Sequence, residues 1–168
     1  MAAASFLLLL ALTLCGLAAL PPLACGSRYP KTGFTVEGGV FCDTCQAGFE
    51  TPATTYIAGA KVRVECRDRI TGVVKYTASG VTNSKGKYSI PVNGEHEYEI
   101  CESVLVSSSQ AECASPLAGR ERARVVLSHN NGVASDKRLA NNLGFQRVSA
   151  VAGCAEIMKM YQQYEEEN

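Results

Sequence analysis

Lys61-Val62-Arg63-Val64-Glu65-Cys66-Arg67 decides the fold: Val62, Val64 and Cys66 fall on one side of an extended chain, and Lys61, Arg63, Glu65 and Arg67 on the other. Strict period two marks a half-buried β-strand, because successive side chains point to opposite faces. The same alternation runs upstream through Phe34, Val36, Val40 and Cys42, where Gly38-Gly39 marks a bulge or a close backbone approach. Downstream it recurs at Val74, Tyr76 and Ala78 and again at Tyr88, Ile90 and Val92. Between these two runs, Thr82-Asn83-Ser84-Lys85-Gly86 holds the polar and Gly residues of a hairpin tip. Further strands are expected over 98–106, 123–127 and 145–151, with 107–120 a loop carrying Cys113. About seven short strands with no long helical pattern between them predict an all-β domain, an antiparallel seven-strand β-barrel or sandwich. A short helix is expected over Ala155–Tyr164, where Ile157, Tyr161 and Tyr164 share one side. Glu165-Glu166-Glu167 meets the negative end of that helix, so 160–168 is read as a frayed acidic tail.

The N-terminus places this domain. Phe6 to Leu14 is an apolar run with one threonine, closed by Pro21-Pro22, with small residues at Ala24 and Gly26 suited to cleavage. Residues 1–26 therefore read as a signal peptide, cleaved after Gly26 or, as the competing point, after Ala24. The mature chain of 168 − 26 = 142 residues has single-domain length, so 27–168 is one domain, secreted to the extracellular space and not inserted in a membrane. The formal net charge is zero and residues 1–26 carry no charged side chain, so the mature domain is neutral. It lacks the basic excess that nucleic acid or an anionic membrane surface would demand. No Asn-x-Ser/Thr sequon occurs in the mature region.

Cleavage after Gly26 removes two of the eight cysteines, leaving Cys42, Cys45, Cys66, Cys101, Cys113 and Cys154. An even set in an oxidising compartment reads as three disulfides, of which six cysteines allow 15 arrangements. Cleavage after Ala24 would instead keep Cys25 as an odd thiol. Cys42-Asp43-Thr44-Cys45 admits three readings: a redox dithiol, half a zinc site, or two structural cysteines leaving in different directions. The redox reading requires a following helix to lower the thiol pKa, and Gln46 to Pro52 is broken by Gly and Pro. Zinc requires a second ligand pair, whereas His96 and His129 are isolated and read as surface residues. Arg120, Arg122 and Arg124 recur at every second position, which suits a solvated strand face; docking of an acidic partner is the weaker reading, given Glu121 and the overall neutrality.

Glu37-Gly38-Gly39-Val40-Phe41-Cys42-Asp43-Thr44-Cys45-Gln46 resembles the signature of the olive pollen major allergen family, Gly-x-Val-aromatic-Cys-Asp-x-Cys followed usually by Arg. The resemblance continues at Ala47 to Thr51, Gly59 to Val62, Glu99 to Cys101, Arg122 to Val125 and Asn142 to Phe145. Gln46 stands where Arg is usual and Phe41 where Tyr is common. The resemblance implies a secreted plant protein with a β-barrel-like fold and disulfides Cys42–Cys113, Cys45–Cys154 and Cys66–Cys101. A Cys42–Cys45 ring would be small and strained, which agrees with sending each to a distant partner. Cys101 is in phase with Glu97 and Glu99 whereas Cys66 is in phase with valines, so a bulge before Cys101 is expected.

The expected function is that of a non-enzymatic extracellular protein, with no catalytic, cofactor or metal residues, binding a cell-wall polymer or a protein receptor during pollen-tube growth or tissue development. A rival reading is a disulfide-stapled inhibitor of an extracellular hydrolase, presenting residues 107–119 to its target. A third is a thiol oxidoreductase using Cys42 and Cys45.

Overall fold

β1, Gly33–Asp43, is the spine of the molecule because it changes partners halfway along. The structure, a computed structural model, describes residues 33–166, so the expected signal segment lies outside the described residues. From Gly33 to Gly39, β1 pairs antiparallel with β5 (Lys87–Asn93), and over Thr35 to Glu37 it also pairs parallel with β9 (Lys137–Leu139). From Val40 onward it pairs parallel with β10 (Leu143–Gln146), and at Phe41 and Cys42 antiparallel with β2 (Thr55–Tyr56). β7 (Ser115–Pro116) extends this first sheet beyond β10. The second sheet is wholly antiparallel, in the order β4 (Val74–Val81), β3 (Lys61–Asp68), β6 (Glu99–Ser107), β8 (Arg122–Val125). A helix, α1, runs over Cys154–Glu166, close to its expected span.

The architecture is a two-sheet β structure without a closed barrel, and it departs from the sequence expectation in three details. Ten strands are present among the described residues, several too short to show a period, and β1 has two parallel neighbours. The turn after Thr82 does not close a hairpin: β4 belongs to the second sheet and β5 to the first, so Asn83–Gly86 carries the chain across. Polar turn residues signal a reversal but not whether the flanking strands pair. Thr82 fixes the crossing, since its buried hydroxyl donates to Ile57 O at 2.6 Å and accepts from Ala60 N at 2.9 Å. Third, the last strand ends at Gln146 rather than reaching Val151.

The inward faces follow from the alternation. Phe34, Val36, Ile90, Val92, Leu143 and Phe145 of the first sheet pack with Val62, Val64, Cys66, Cys101, Ala123 and Val125 of the second. Each large apolar side chain so buried contributes about 1.5–3 kcal/mol. Gly38 opens no bulge, because the register runs unbroken through Gly38↔Tyr88 and Gly39↔Lys87. Its missing side chain admits the Tyr88 ring, whose Cζ lies 2.6 Å from where a Cβ would stand. The bulge expected before Cys101 is also absent: Asp68↔Glu99, Arg67↔Ile100 and Cys66↔Cys101 are in continuous register, and the irregularity lies at the other end, between Lys61 and Val62. Glu99 shares the face of Cys101 because it sits at the strand end, where His96 meets it.

Candidate functional site

Cys42 and Cys45 are bonded to different partners, in the bridges Cys42–Cys113 and Cys45–Cys154; the third bridge is Cys66–Cys101. The loop between the first two cysteines is organised by Asp43, fully buried, whose carboxylate accepts from the N–H groups of Cys45 at 3.2 Å, Ala47 at 3.1 Å and Gly48 at 2.8 Å. Gln46 takes a positive φ of 56° and donates its amide to Arg147 O and Val148 O. Cys42 and Cys45 therefore form no dithiol pair; they tie β1 to the 107–120 loop and to α1. That loop contains a 3-10 turn, Ala111–Cys113, held by hydrogen bonds from Ser109 before it to Ala58 O and from Val148 N to Glu112 O within it.

His96 is not the surface residue its sequence context suggests: it is 8% exposed, packed at a tilt against the Tyr76 ring at 4.7 Å, with Nδ1 2.7 Å from Glu99 Oε2 and Nε2 3.1 Å from Asn93 O. Ligand atoms of Cys66, His96, Glu99 and Cys101 lie within 4.8 Å of one another. The two sulfurs are joined to each other and cannot act as thiolates, so this cluster serves the fold. His129 is exposed, as expected, between Glu95 and Asp136, and both partners hold its pKa above the ordinary imidazole value, the Glu95 hydrogen bond foremost.

Two outward surfaces offer binding geometry. On the first sheet a groove of about 670 Å³ lies over Gly38, lined by Glu37, Asn83, Lys87, Ser89, Leu139 and Asn142 among others. Its polar groups are engaged locally: Glu37 pairs with Lys137 at 3.0 Å, Lys87 sits over the Tyr56 ring, and Asn142 donates to Glu50 at 2.7 Å.

The outer face of the second sheet is different. Cross-strand register places Arg63, Val104 and Arg122 in one row and Glu65, Glu102 and Arg124 in the next, with Lys61 and Arg67 along β3. Glu65 is 4% exposed and is gripped by three guanidinium groups: Arg63 on Oε1, Arg67 at 2.6 Å and Arg122 at 3.4 Å on Oε2. Burial pushes the Glu65 carboxyl up, but the hydrogen bonds and charges of Arg67 and Arg63 outweigh it and leave the group below the usual carboxylate range. Arg122 also reaches Glu102 at 3.2 Å and so bridges two carboxylates that stand directly opposite across the strands.

The pattern of the family described as Pollen protein Ole e 1 like matches residues 32–162. The chain belongs to that family. It is 41% identical over 137 residues to an Olee1-like protein of Betula pendula, covering 80% of this chain and 82% of the relative. It is 41% identical over 125 residues to the anther-specific protein LAT52 of Solanum lycopersicum, covering 74% and 78%. The crystal structure of the major plantain pollen allergen Pla l 1 superposes with a TM-score of 0.65 at 32% identity, over 73% of this chain and 99% of that one. The names of these relatives are those of an Olee1-like protein, an anther-specific protein and a pollen allergen, and none is an enzyme name.

Within this family fold, sequence reasoning placed Arg122 and Arg124 on one strand face, and β8 carries both there, exposed. Arg120 precedes β8, and its backbone closes a turn onto Leu117 O. Missed were the burial of Glu65 and of Arg138, which donates to Val126 O and Ser128 O and lies over the Phe34 ring. Glu65 had one usable signal, an acid flanked at i−2 and i+2 by arginines on a strand.

Proposed function

We propose that this chain is a secreted, non-enzymatic binding protein of the pollen or anther extracellular space. It enters the secretory pathway by residues 1–26 and acts as the single domain 27–168 on an acidic wall component or receptor during pollen-tube growth or tissue development. One observation carries the reading: the second sheet's outer face presents Lys61, Arg63, Arg67, Arg122 and Arg124 against Glu65 and Glu102, in a chain of net charge zero. Fold stability does not call for such an imbalance, since exposed charges contribute little to it. Secretion is supported by the apolar N-terminal run and the three disulfides. The non-enzymatic reading is supported by where the reactive groups are engaged: the six described cysteines in bridges, His96 with Glu99 and Asn93, His129 with Glu95 and Asp136.

Affinity capture with the disulfide-intact mature protein tests it, using wall and plasma-membrane extracts of flowers in parallel with a Lys61→Glu/Arg124→Glu variant. Saturable capture that the variant loses is the expected result. No saturable partner, or one the variant retains in full, overturns the reading.

A further inference from the structure

We propose that the outer face of the four-stranded sheet is a binding site for an acidic polysaccharide, one whose sugar rings carry carboxylates; this rests on the binding function proposed above and names its ligand class. Five cations face outward there against two carboxylates, a surplus of 5 − 2 = 3 positive charges on one face of a neutral chain. Glu99, at a strand end, falls in the inward phase of the alternation and does not offset it, while Asp68 is answered by the charge of Lys75. Glu65 does not quench the row; buried, it fixes three guanidinium groups side by side while each keeps further N–H donors for a carboxylate. Groups held before the ligand arrives lose less freedom on binding. The side chains of Lys61 and Arg124 make no hydrogen bond or ion pair among the described residues and stand at the edges of this cluster.

The shape beside the cations selects the ligand. A depression of about 210 Å³ on this face is lined by Lys61, Arg63, Ser79, Val81 and Val106, with Val81 58% and Val106 49% exposed. A carboxylated sugar ring combines in one unit what these residues complement: an anionic group for Lys61 and Arg63, a hydroxyl for Ser79, and an apolar C–H face for the two valines. The volume suits one ring, and same-face residues along β3 repeat at about 6.6–6.8 Å, so a polymer lying on the sheet meets successive cations. An acidic peptide would use the charges but has no ring to place between the valines. Duplex nucleic acid would need a far larger basic surplus.

The test uses the disulfide-intact mature protein and measures binding to immobilised polygalacturonate, to the same polymer fully methyl-esterified, and to poly-glutamate. Binding to polygalacturonate that falls about tenfold or more on esterification, weakens with salt and exceeds binding to poly-glutamate is expected. Lys61→Glu/Arg124→Glu should abolish it with an unchanged melting temperature, whereas Lys85→Glu/Lys159→Glu, the same charge change at exposed sites off this face, should leave it within about twofold. Equal binding to poly-glutamate, or equal loss in both double variants, would mean unselective ion pairing and overturn the proposal. Absence of polygalacturonate binding overturns it as well. If extracts still yield a partner lost by Lys61→Glu/Arg124→Glu, the binding function stands and only the ligand class falls.

Discussion

The two sheets use their outer faces in opposite ways. On the first, β1 lies between β5, β9, β10 and β2, carries Cys42 of one disulfide and leads into Cys45 of another, and has its neighbouring carboxylates engaged locally, Glu37 with Lys137 and Glu50 with Asn142. On the second, the one bridge lies inside, between paired strands, and the outward charges do not balance. Where β1 must hold a partner-switching topology, its side chains are committed to structure; where plain antiparallel pairing holds the sheet, the outer face is released for other use. The sharpest way to break this contrast is to remove one bridge from each sheet. Loop-closure entropy assigns the 71-residue Cys42–Cys113 span about 4.4 kcal/mol and the 35-residue Cys66–Cys101 span about 3.8 kcal/mol. The measured gap should be larger, because Cys66 and Cys101 stay neighbours through strand pairing whereas the 107–120 loop loses its chief anchor on β1. Urea midpoints of the paired Cys→Ala variants check this, and a more costly loss at Cys66–Cys101 would contradict it.

Packing gives the next effect. Gly144 of β10 has no room for a methyl group: its Cβ would stand 2.7 Å from Phe41 Cζ and 3.0 Å from Leu117 Cδ2, all buried. Gly144→Ala should cost about 1–3 kcal/mol by overpacking. Ser79→Ala, on the open face of the second sheet, should cost less than about 0.5 kcal/mol. Chemical denaturation compares them directly; similar costs would mean that the first sheet is not the more tightly determined of the two.

A smaller and pH-dependent effect is expected at Glu65. Glu65→Gln leaves three arginines around a neutral amide and should cost about 1–2 kcal/mol near neutral pH, less than a fully buried pair because the arginines are partly exposed. The Glu65 carboxyl is depressed in the folded state, so its contribution is fully present above the unfolded value of about 4.3 and is lost as pH falls through the folded one. Wild type and Glu65→Gln should therefore converge in stability only as pH falls below the folded value, and an offset that persists in stronger acid would count against the ionic account.

Glu65 also shows how far the sequence could be read. Alternation through Val62, Val64 and Cys66 was enough for strand and face, because burial on one side imposes period two on a single strand, but it left barrel and sandwich both open. The same pattern put Glu65 on the outer face but not beneath three arginines, since its cover comes partly from Arg122, 57 residues away. Partner switching by β1 left no mark either: Gly38-Gly39 was visible, but whether two glycines make room for Tyr88 or kink a strand depends on the strand opposite. The cation row was half legible in Arg122 and Arg124; it gained weight once β3 placed Lys61, Arg63 and Arg67 beside them, because global neutrality says nothing about one face.

The histidines carry the comparison to its smallest expected effect, for each sheet packs one against an aromatic ring: His96 against Tyr76 of β4, His129 against Phe34 of β1 at 4.5 Å. His96 is enclosed, with both ring nitrogens engaged, so its environment is structural whatever its charge. His129 is exposed between Glu95 and Asp136, which favour its imidazolium. A raised folded pKa means that its stabilisation is fully present below the unfolded value of about 6.5 and disappears as pH rises through the folded value. Nuclear magnetic resonance titration should place the His129 midpoint above 6.5, and His129→Gln should lower stability slightly at pH 5.5 and not at pH 9. Glu95→Gln should bring the midpoint back toward the ordinary value, more than Asp136→Asn does, since the Glu95 hydrogen bond is the larger cause. A midpoint that ignores both carboxylates would mean that the Phe34 contact, rather than the ion pairs, holds this loop to the edge of the first sheet.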